Sequence, residues 1–378
     1  MDDQAAGGIL RFFMDLPDPR ANNSIHKLHD ILVIALCAII CGADGWAEVE
    51  VFGNAKIAWF STFLDLRAGI PSHDTFGRVF SRLNPDAFER CFIAWARAIT
   101  QTTGGQLIAI DGKSIHRSFE HAWDKSGMAH LVSAFVNANQ LVFSQVAVED
   151  KSNEIDAIPR LLGLLDLEGA TVTIDALGCQ KEIARQIVEA GGDYVLAVKE
   201  NQPMLHSKVA AMLDEAILED FEGISHDSVQ TSDDGHGRME SRRVWVTDEV
   251  NLLGSLREDW PGLASVAVVE SEREVLVGKS SRDRRYFISS LKEPDAGQMA
   301  QAIRGHWAVE NRLHWQLDVS FREDERRIRK DHGAENYSRL CRMALNLLKK
   351  DRSAKIGVHG KRLKAGWDEP YLLRLLTN

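Results

Sequence analysis

Gln106-Leu107-Ile108-Ala109-Ile110-Asp111 is a short apolar run closed by a carboxylate, and the pattern of the chain changes there. Before it the chain reads as helices: Gly8 to Leu16, Leu28 to Cys41, Trp46 to Leu64, Thr75 to Arg82 and Pro85 to Thr100, punctuated by Pro17, Pro19, Pro71 and Pro85. After it come two strand-like runs, His130 to Phe135 and Leu141 to Val148, joined by the hairpin-like turn Val136 to Gln140. A helix is then predicted from Glu154 to Leu165, and a strand from Ala170 to Ile174 that ends in Asp175. A helix from Gln180 to Ala190 and a strand from Tyr194 to Val198 complete the series.

Three leading strands followed by helix–strand alternation predict an α/β fold with a mixed five-stranded sheet and flanking helices. That order is shared by RNase H-like folds, in which the first and fourth strands lie side by side. Strand-like runs return between Ser225 and Leu291 without an intervening helix, which predicts a β-rich insertion at about 222–292, before the helix that starts near Asp295. The expected organisation is an all-helical N-terminal domain, 1–100, and a catalytic domain, 104–378, whose basic C-terminal region covers about 322–378. Within the front domain, Trp59 to Arg67 and His73 to Leu83 fit either a helix-turn-helix DNA reader or an ordinary pair of packed helices.

Asp111 and Asp175 each follow a buried strand, where ligands gather in open α/β sheets. Two such acids, with a third from a later helix, suit one chemistry in particular. A phosphodiester resists attack until its oxygens are neutralised, and two divalent cations bound by carboxylates both neutralise it and activate the attacking oxygen. The third acid is sought on Ala300 to Phe321. There Ile303, Glu310, Leu313, His314, Leu317 and Phe321 recur at three-and-four spacing, so Glu310 stands on an apolar stripe. Asp318 is about 80° away around such a helix and Asp324 returns to the stripe, which keeps Asp324 as the alternative. His306, Glu310 and His314 could also be read as zinc ligands, although no His-Glu-x-x-His motif occurs.

The net charge of −10 argues against a protein that coats nucleic acid non-specifically. The average hides a cluster, because Arg322 to Lys364 holds 14 Lys and Arg against 6 Asp and Glu. Cys37, Cys41, Cys91, Cys179 and Cys341 form no Cys-x-x-Cys pair, so they predict neither a zinc knuckle nor a disulfide framework. The longest apolar run, Ile31 to Cys41, is too short to cross a bilayer of roughly 30 Å. With the acidic start Met1-Asp2-Asp3-Gln4, this predicts a cytoplasmic protein without a membrane partner.

Five stretches resemble the H-repeat-associated transposases, the ISAs group of insertion-sequence enzymes. They are Ala109 to Lys113, Asn153 through Pro159, Thr173 to Ala176, Tyr194 to Pro203, and His306 through Trp315. The resemblance implies a DDE transposase with the catalytic and metal-binding triad Asp111, Asp175 and Glu310, a two-metal site for Mg²⁺ or Mn²⁺, and double-stranded DNA as partner. That DNA would be the terminal inverted repeats and the target, held by a dimer that works at the bacterial nucleoid. Related enzymes carry tyrosine, arginine and lysine seven before, four before and seven after the glutamate. Here Ile303, His306 and Leu317 stand at those places, and Arg304 or Arg312 could substitute.

DNA contacts are therefore expected from Lys199, Asn201, Arg238, Arg242, Arg304, His306 and Arg312. Trp245 could stack on an unpaired base or belong to the core of a charged hairpin. The expected reaction is cleavage at transposon ends followed by 3′-hydroxyl strand transfer. A plain metal-dependent nuclease and a non-catalytic DNA-binding descendant are the alternatives.

Overall fold

A computed structural model describes residues 8–20, 24–99, 106–118, 129–138, 140–148, 154–235, 238–275 and 281–377; at 233–235, 238, 239, 274 and 275 the backbone alone is described. The chain forms two compact units. One comprises Thr103–Asp111 and Ile158–Val309, the other Met1–Thr102, Gly112–Ala157 and Glu310–Asn378.

In the first unit, the sheet unit, the apolar run opens β1 (Leu107–Ser114), which lies parallel to β4 (Thr171–Ile174) from Leu107↔Thr171 to Ile110↔Ile174. β4 is parallel in turn to β5 (Asp193–Val198). Both neighbours of β4 are strands, and its Val172, Thr173 and Ile174 are buried, as expected for a central parallel strand.

The four later strands are β6 (Asp227–Gly235), β7 (Arg238–Thr247), β8 (Ser265–Val275) and β9 (Ser281–Ser289), each antiparallel to its sequence neighbour. They do not form a separate sheet. β9 pairs with β5 from Val195↔Ser289 to Val198↔Tyr286, which satisfies backbone groups that would leave β5 an open edge. With β2 (His130–Val136) and β3 (Leu141–Val148), the strand order is β3-β2-β1-β4-β5-β9-β8-β7-β6, so the expected five-stranded sheet is corrected to nine strands. The five expected strands keep the contiguous order β3-β2-β1-β4-β5 within it.

Side chains two apart in a strand share a face. Val244 and Val246 of β7, with Ala267 and Val269 of β8, therefore build one apolar surface with Val195 and Phe287. Ala296, Met299 and Ala302 of the helix Ala296–Val309 cover it. Two further helices, Lys181–Glu189 and Pro203–Leu218, belong to the same unit.

The second unit is mainly helical. In chain order its long front helices are α1 (Leu28–Cys41), α2 (Trp46–Ala55), a single turn α3 (Ile57–Phe60), α4 (His73–Arg82) and α5 (Pro85–Ile99). Residues 31–40 of α1 are all buried, which explains its unbroken apolar sequence as a core helix. Among the described residues no single helix is long and apolar enough to cross a membrane. The expected helix from Trp59 to Arg67 does not form. Trp59, Phe60 and Phe63 pack on one another with ring centroids 4.8–6.0 Å apart, and the chain leaves α3 in turns. Of the two alternatives for this stretch, the helix-turn-helix lacks its first helix, and an irregular connection leads from α3 to α4.

β2 (His130–Val136) and β3 (Leu141–Val148) make an antiparallel hairpin in this unit, with a register shift between Ala134 and Phe135. The long helix Gly333–Lys350 closes the outer side of β3. Asn346 accepts from Val142 N at 2.9 Å and donates to Val142 O at 2.7 Å, as a neighbouring strand would.

Candidate functional site

The ladder between β1 and β4 ends with Ile110 opposite Ile174. Asp111 and Asp175 are the next residues on two adjacent parallel strands, whose backbones run about 5 Å apart. β1 itself continues to Ser114. Asp175 leaves the strand and caps a short 3₁₀ turn, its Oδ1 accepting from Leu177 N at 3.1 Å and from Gly178 N at 3.4 Å. Carboxylate oxygens are the donors a hard divalent cation takes, so the pair suits Mg²⁺ or Mn²⁺ chemically. Among the described residues, no three His, Cys, Asp or Glu side chains gather closely enough to hold a metal ion.

Asn201 follows β5, and its Nδ2 donates to Ala176 O at 2.6 Å, so it fastens the turn that carries Asp175. Gln202 adds a bond to Cys179 O at 3.0 Å. Lys199 is exposed at the start of the same loop, and its carbonyl accepts from Gln202 N at 3.0 Å.

Glu310 is exposed, not inward-facing, and this corrects the helix-phase argument. The helix Ala296–Val309 does not continue as an α-helix. Glu310–His314 form a π turn, and helical geometry resumes over Trp315–Val319. The extra residue of a π turn rotates all that follows, so three-and-four spacing cannot be carried through it. Leu313, Leu317 and Phe321 are buried, Arg312 is exposed, and the Arg312 carbonyl accepts from Lys349 Nζ at 2.8 Å.

Asp324, the alternative acid, is engaged elsewhere. Lys113 Nζ lies 2.7 Å from Asp318 Oδ1 and 3.3 Å from Asp324 Oδ1, and His116 N donates to Asp324 at 3.4 Å. Burial raises the pKa of Asp318 against the pull of Lys113. Neighbouring Glu323 is wholly buried; burial opposes its ionisation, but Arg342 at 2.8 Å, with Lys113 and Arg326, keeps its pKa low. These contacts give the run Glu323-Asp324-Glu325 a structural task.

His306 Nδ1 lies 3.2 Å from Thr173 Oγ1, which ties the late helix to β4 inside the sheet unit. The next residue, Trp307, is 41% exposed, where an indole is usually covered. The Arg285 guanidinium sits 4.9 Å from its ring centroid and that of Arg242 5.9 Å. Arg242 also pairs with Glu240 at 2.7 Å. These side chains and Arg304 rim a cavity of about 340 Å³ with Val229, Val244, Val269, Phe287 and Ile303 among its apolar walls. Trp245 is 5% exposed and is a core residue, with Arg243 stacked 4.6 Å from its ring. Arg238 stands opposite Gly235 in the ladder, and its side chain lies outside the described residues, as do His236 and Gly237. Sequence reasoning missed Trp307 and Arg285. The spacing of Arg304 and Trp307 on one helix was the available signal for the first, whereas Arg285 is brought in only by strand register.

The pattern of the "Transposase DDE domain" family matches residues 102–347, and that of the "DDE_Tnp_1-associated" family matches 10–96. The chain is 42% identical over 373 residues to "Putative transposase YncI" of Escherichia coli O157:H7, covering 98% of this chain and 94% of the relative. It is 40% identical over 376 residues to "H repeat-associated putative transposase YhhI" of Escherichia coli strain K12, covering 98% and 97%. A solved piggyBac transposase synaptic complex with hairpin DNA aligns over 97% of this chain and 77% of its own at a TM-score of 0.44 and 9% identity. By the extent of the family match and of these relatives, the chain belongs to the DDE transposase family, with the H-repeat-associated transposases among its relatives.

Proposed function

We propose that this transposase cuts DNA at the ends of an insertion sequence and joins the freed 3′-hydroxyl to target DNA, using Asp111, Asp175 and Glu310. The observation that carries the reading is the parallel β1–β4 ladder, which ends side by side at Asp111 and Asp175 in a chain of this family. The contiguous order β3-β2-β1-β4-β5 supports an RNase H-like core, extended by the four later strands. Glu310 is the third acid of the proposal.

A divalent cation on these carboxylates, Mg²⁺ or Mn²⁺, supplies neutralisation of phosphate oxygens and a lower pKa for the attacking oxygen. The side chains supply the rest. Asp175 keeps Oδ2 for a cation while Oδ1 caps its turn, and Asn201 holds that turn in place. Lys199, Asn201, Arg238, Arg242, Arg304, His306 and Arg312 contact DNA, the cations against phosphates. Water attacks the phosphodiester at the transposon end and releases a 3′-hydroxyl, which then displaces a 3′-oxygen in the target without a covalent enzyme intermediate. The front domain, 1–100, and the basic C-terminal region bind the ends, and the work is done on DNA in the cytoplasm.

Labelled duplexes carrying the element's ends, incubated with target DNA and Mn²⁺ or Mg²⁺, test the reading. Asp111→Asn, Asp175→Asn and Glu310→Gln should each lower cleavage and joining by at least about a hundredfold. Activity that survives one of these changes removes that residue from the triad. Cleavage without joining would make the chain a nuclease, and a shifted band with neither would make it a binding protein.

A further inference from the structure

The chain carries 55 acids against 45 Lys and Arg, so carboxylate partners for cations are plentiful. Around the segment that follows the π turn this holds well. Arg322 pairs with Glu325 and, at 3.4 Å, with Asp44; Arg339 pairs with Glu89 and Glu335; Arg342 pairs with Glu323. Three cations nearby are different. Among the described residues no carboxylate lies within ion-pair distance of Arg78, Arg327 or Lys330, and all three are exposed.

These three line one groove of about 560 Å³ in the helical unit. Its first wall is the solvent face of α4, whose other face is fixed by buried Phe76, Val79 and Phe80. Its second wall is the segment Arg327 to Lys330, and Asp74 is the single acid in the lining. The walls are fastened together. His332 N donates to Ser81 O at 3.2 Å, and Asn336 Nδ2 donates to Phe80 O and Leu83 O at 2.9 Å each, completing the last carbonyls of α4. Arg329, also in the lining, donates from Nε to Arg117 O at 3.0 Å, which anchors the second wall. The N-terminal turn of α4, capped by Ser72, opens onto the groove through His73 and Asp74 and adds its positive helix end.

Like charges held together without counter-charges raise the energy of the free protein, and a polyanion with regularly spaced charges relieves it. We propose that this groove is a binding site for the sugar–phosphate backbone of duplex DNA, with Arg78, Arg327 and Lys330 each facing a phosphate. A DNA strand offers one charge per 3.4 Å of rise, which suits cations drawn alternately from a helix face and an extended segment. The site rests on the reading of the chain as a DNA-acting transposase. It lies outside the seven DNA contacts assigned above, and it places backbone recognition on the front helices jointly with the segment after Glu310.

The test uses the full chain, a fluorescein-labelled duplex of about 40 base pairs and arbitrary sequence, and anisotropy titrations in EDTA from about 50 to 200 mM KCl. Each lost phosphate contact lowers the slope of log K against log salt by about 0.9, so Arg78→Ala/Arg327→Ala/Lys330→Ala should flatten it by between about 2 and 3 and weaken binding by about tenfold or more. Lys181→Ala/Arg185→Ala/Arg257→Ala removes the same charge elsewhere and should leave the slope unchanged. Arg78→Lys/Arg327→Lys/Lys330→Arg should retain the wild-type slope, and circular-dichroism melts establish that each variant folds. A folded triple-alanine variant with the wild-type slope would overturn the groove while leaving DNA binding intact. Polyglutamate competing as well as duplex would overturn it in favour of an acidic peptide. A wild-type chain that ignores the duplex would instead defeat the reading on which the proposal rests.

Discussion

Gly112 follows Asp111, and its lack of a side chain has a local cause. A Cβ there would stand 2.7 Å from the carboxyl carbon and Oε1 of Glu154, whose residue is 9% exposed. No carbon sits that close to a carboxylate unless something moves. Because the colliding atoms are the far end of a flexible side chain, Gly112→Ala should destabilise the chain by about 1 kcal/mol in denaturant unfolding, the low end of the range for overpacking. Adding Glu154→Ala should return most of that loss, because the double variant removes the collision. Equal destabilisation in the single and double variants would show that backbone freedom, not the carboxylate, requires glycine. The motif around Asp111 was legible in the sequence as an apolar run ending in an acid, but the partner that makes Gly112 necessary is more than 40 residues away and was not.

At the scale of elements, the strands could be read because apolar runs and turn residues are local signals, whereas the joining of β9 to β5 is long-range and leaves no local mark. The break at Glu310 was hidden for a related reason: no Gly or Pro interrupts Glu310-Asn311-Arg312-Leu313-His314, so the sequence looks like unbroken helix. Trp59 to Phe63 misled in the opposite direction, since helical spacing of aromatics also serves a knot of rings. The π turn is tied to the helix Gly333–Lys350 through Lys349, whose amine is pushed down to about pKa 7 by burial, with Arg312 adding to it. The unfolded chain holds that proton up to the ordinary lysine range, so between about pH 7 and 10 it binds more protons than the folded one. Stability from this group accordingly rises with pH over that window. Lys349→Met should cancel the rise, the wild type gaining about 1 kcal/mol or more relative to the variant between pH 7 and 10 in denaturant unfolding. Parallel stability curves for the two proteins would show that the amine is hydrated in solution.

For the whole molecule, charge sets the terms of assembly. A net −10 makes two free chains repel, and their basic segments cannot neutralise each other without also bringing the acidic surfaces together. DNA ends remove that obstacle, because phosphates neutralise the cations and release their counterions while the acidic surfaces stay in water. Under the proposed function two ends are processed together, so pairing of protomers is expected to depend on DNA. Light scattering after size exclusion, at about 0.1 M salt where screening lengths are near 10 Å, should find two chains per particle with end duplexes present, and fewer without them. The balance should move back as salt rises, since the same counterion release that drives binding is lost. A complex of one chain per duplex that persists at saturating DNA would sink the dimer. A dimer of equal strength with and without DNA would instead locate the pairing in an apolar protein surface, and the salt dependence would then run the other way, because screening relieves the repulsion between two acidic chains.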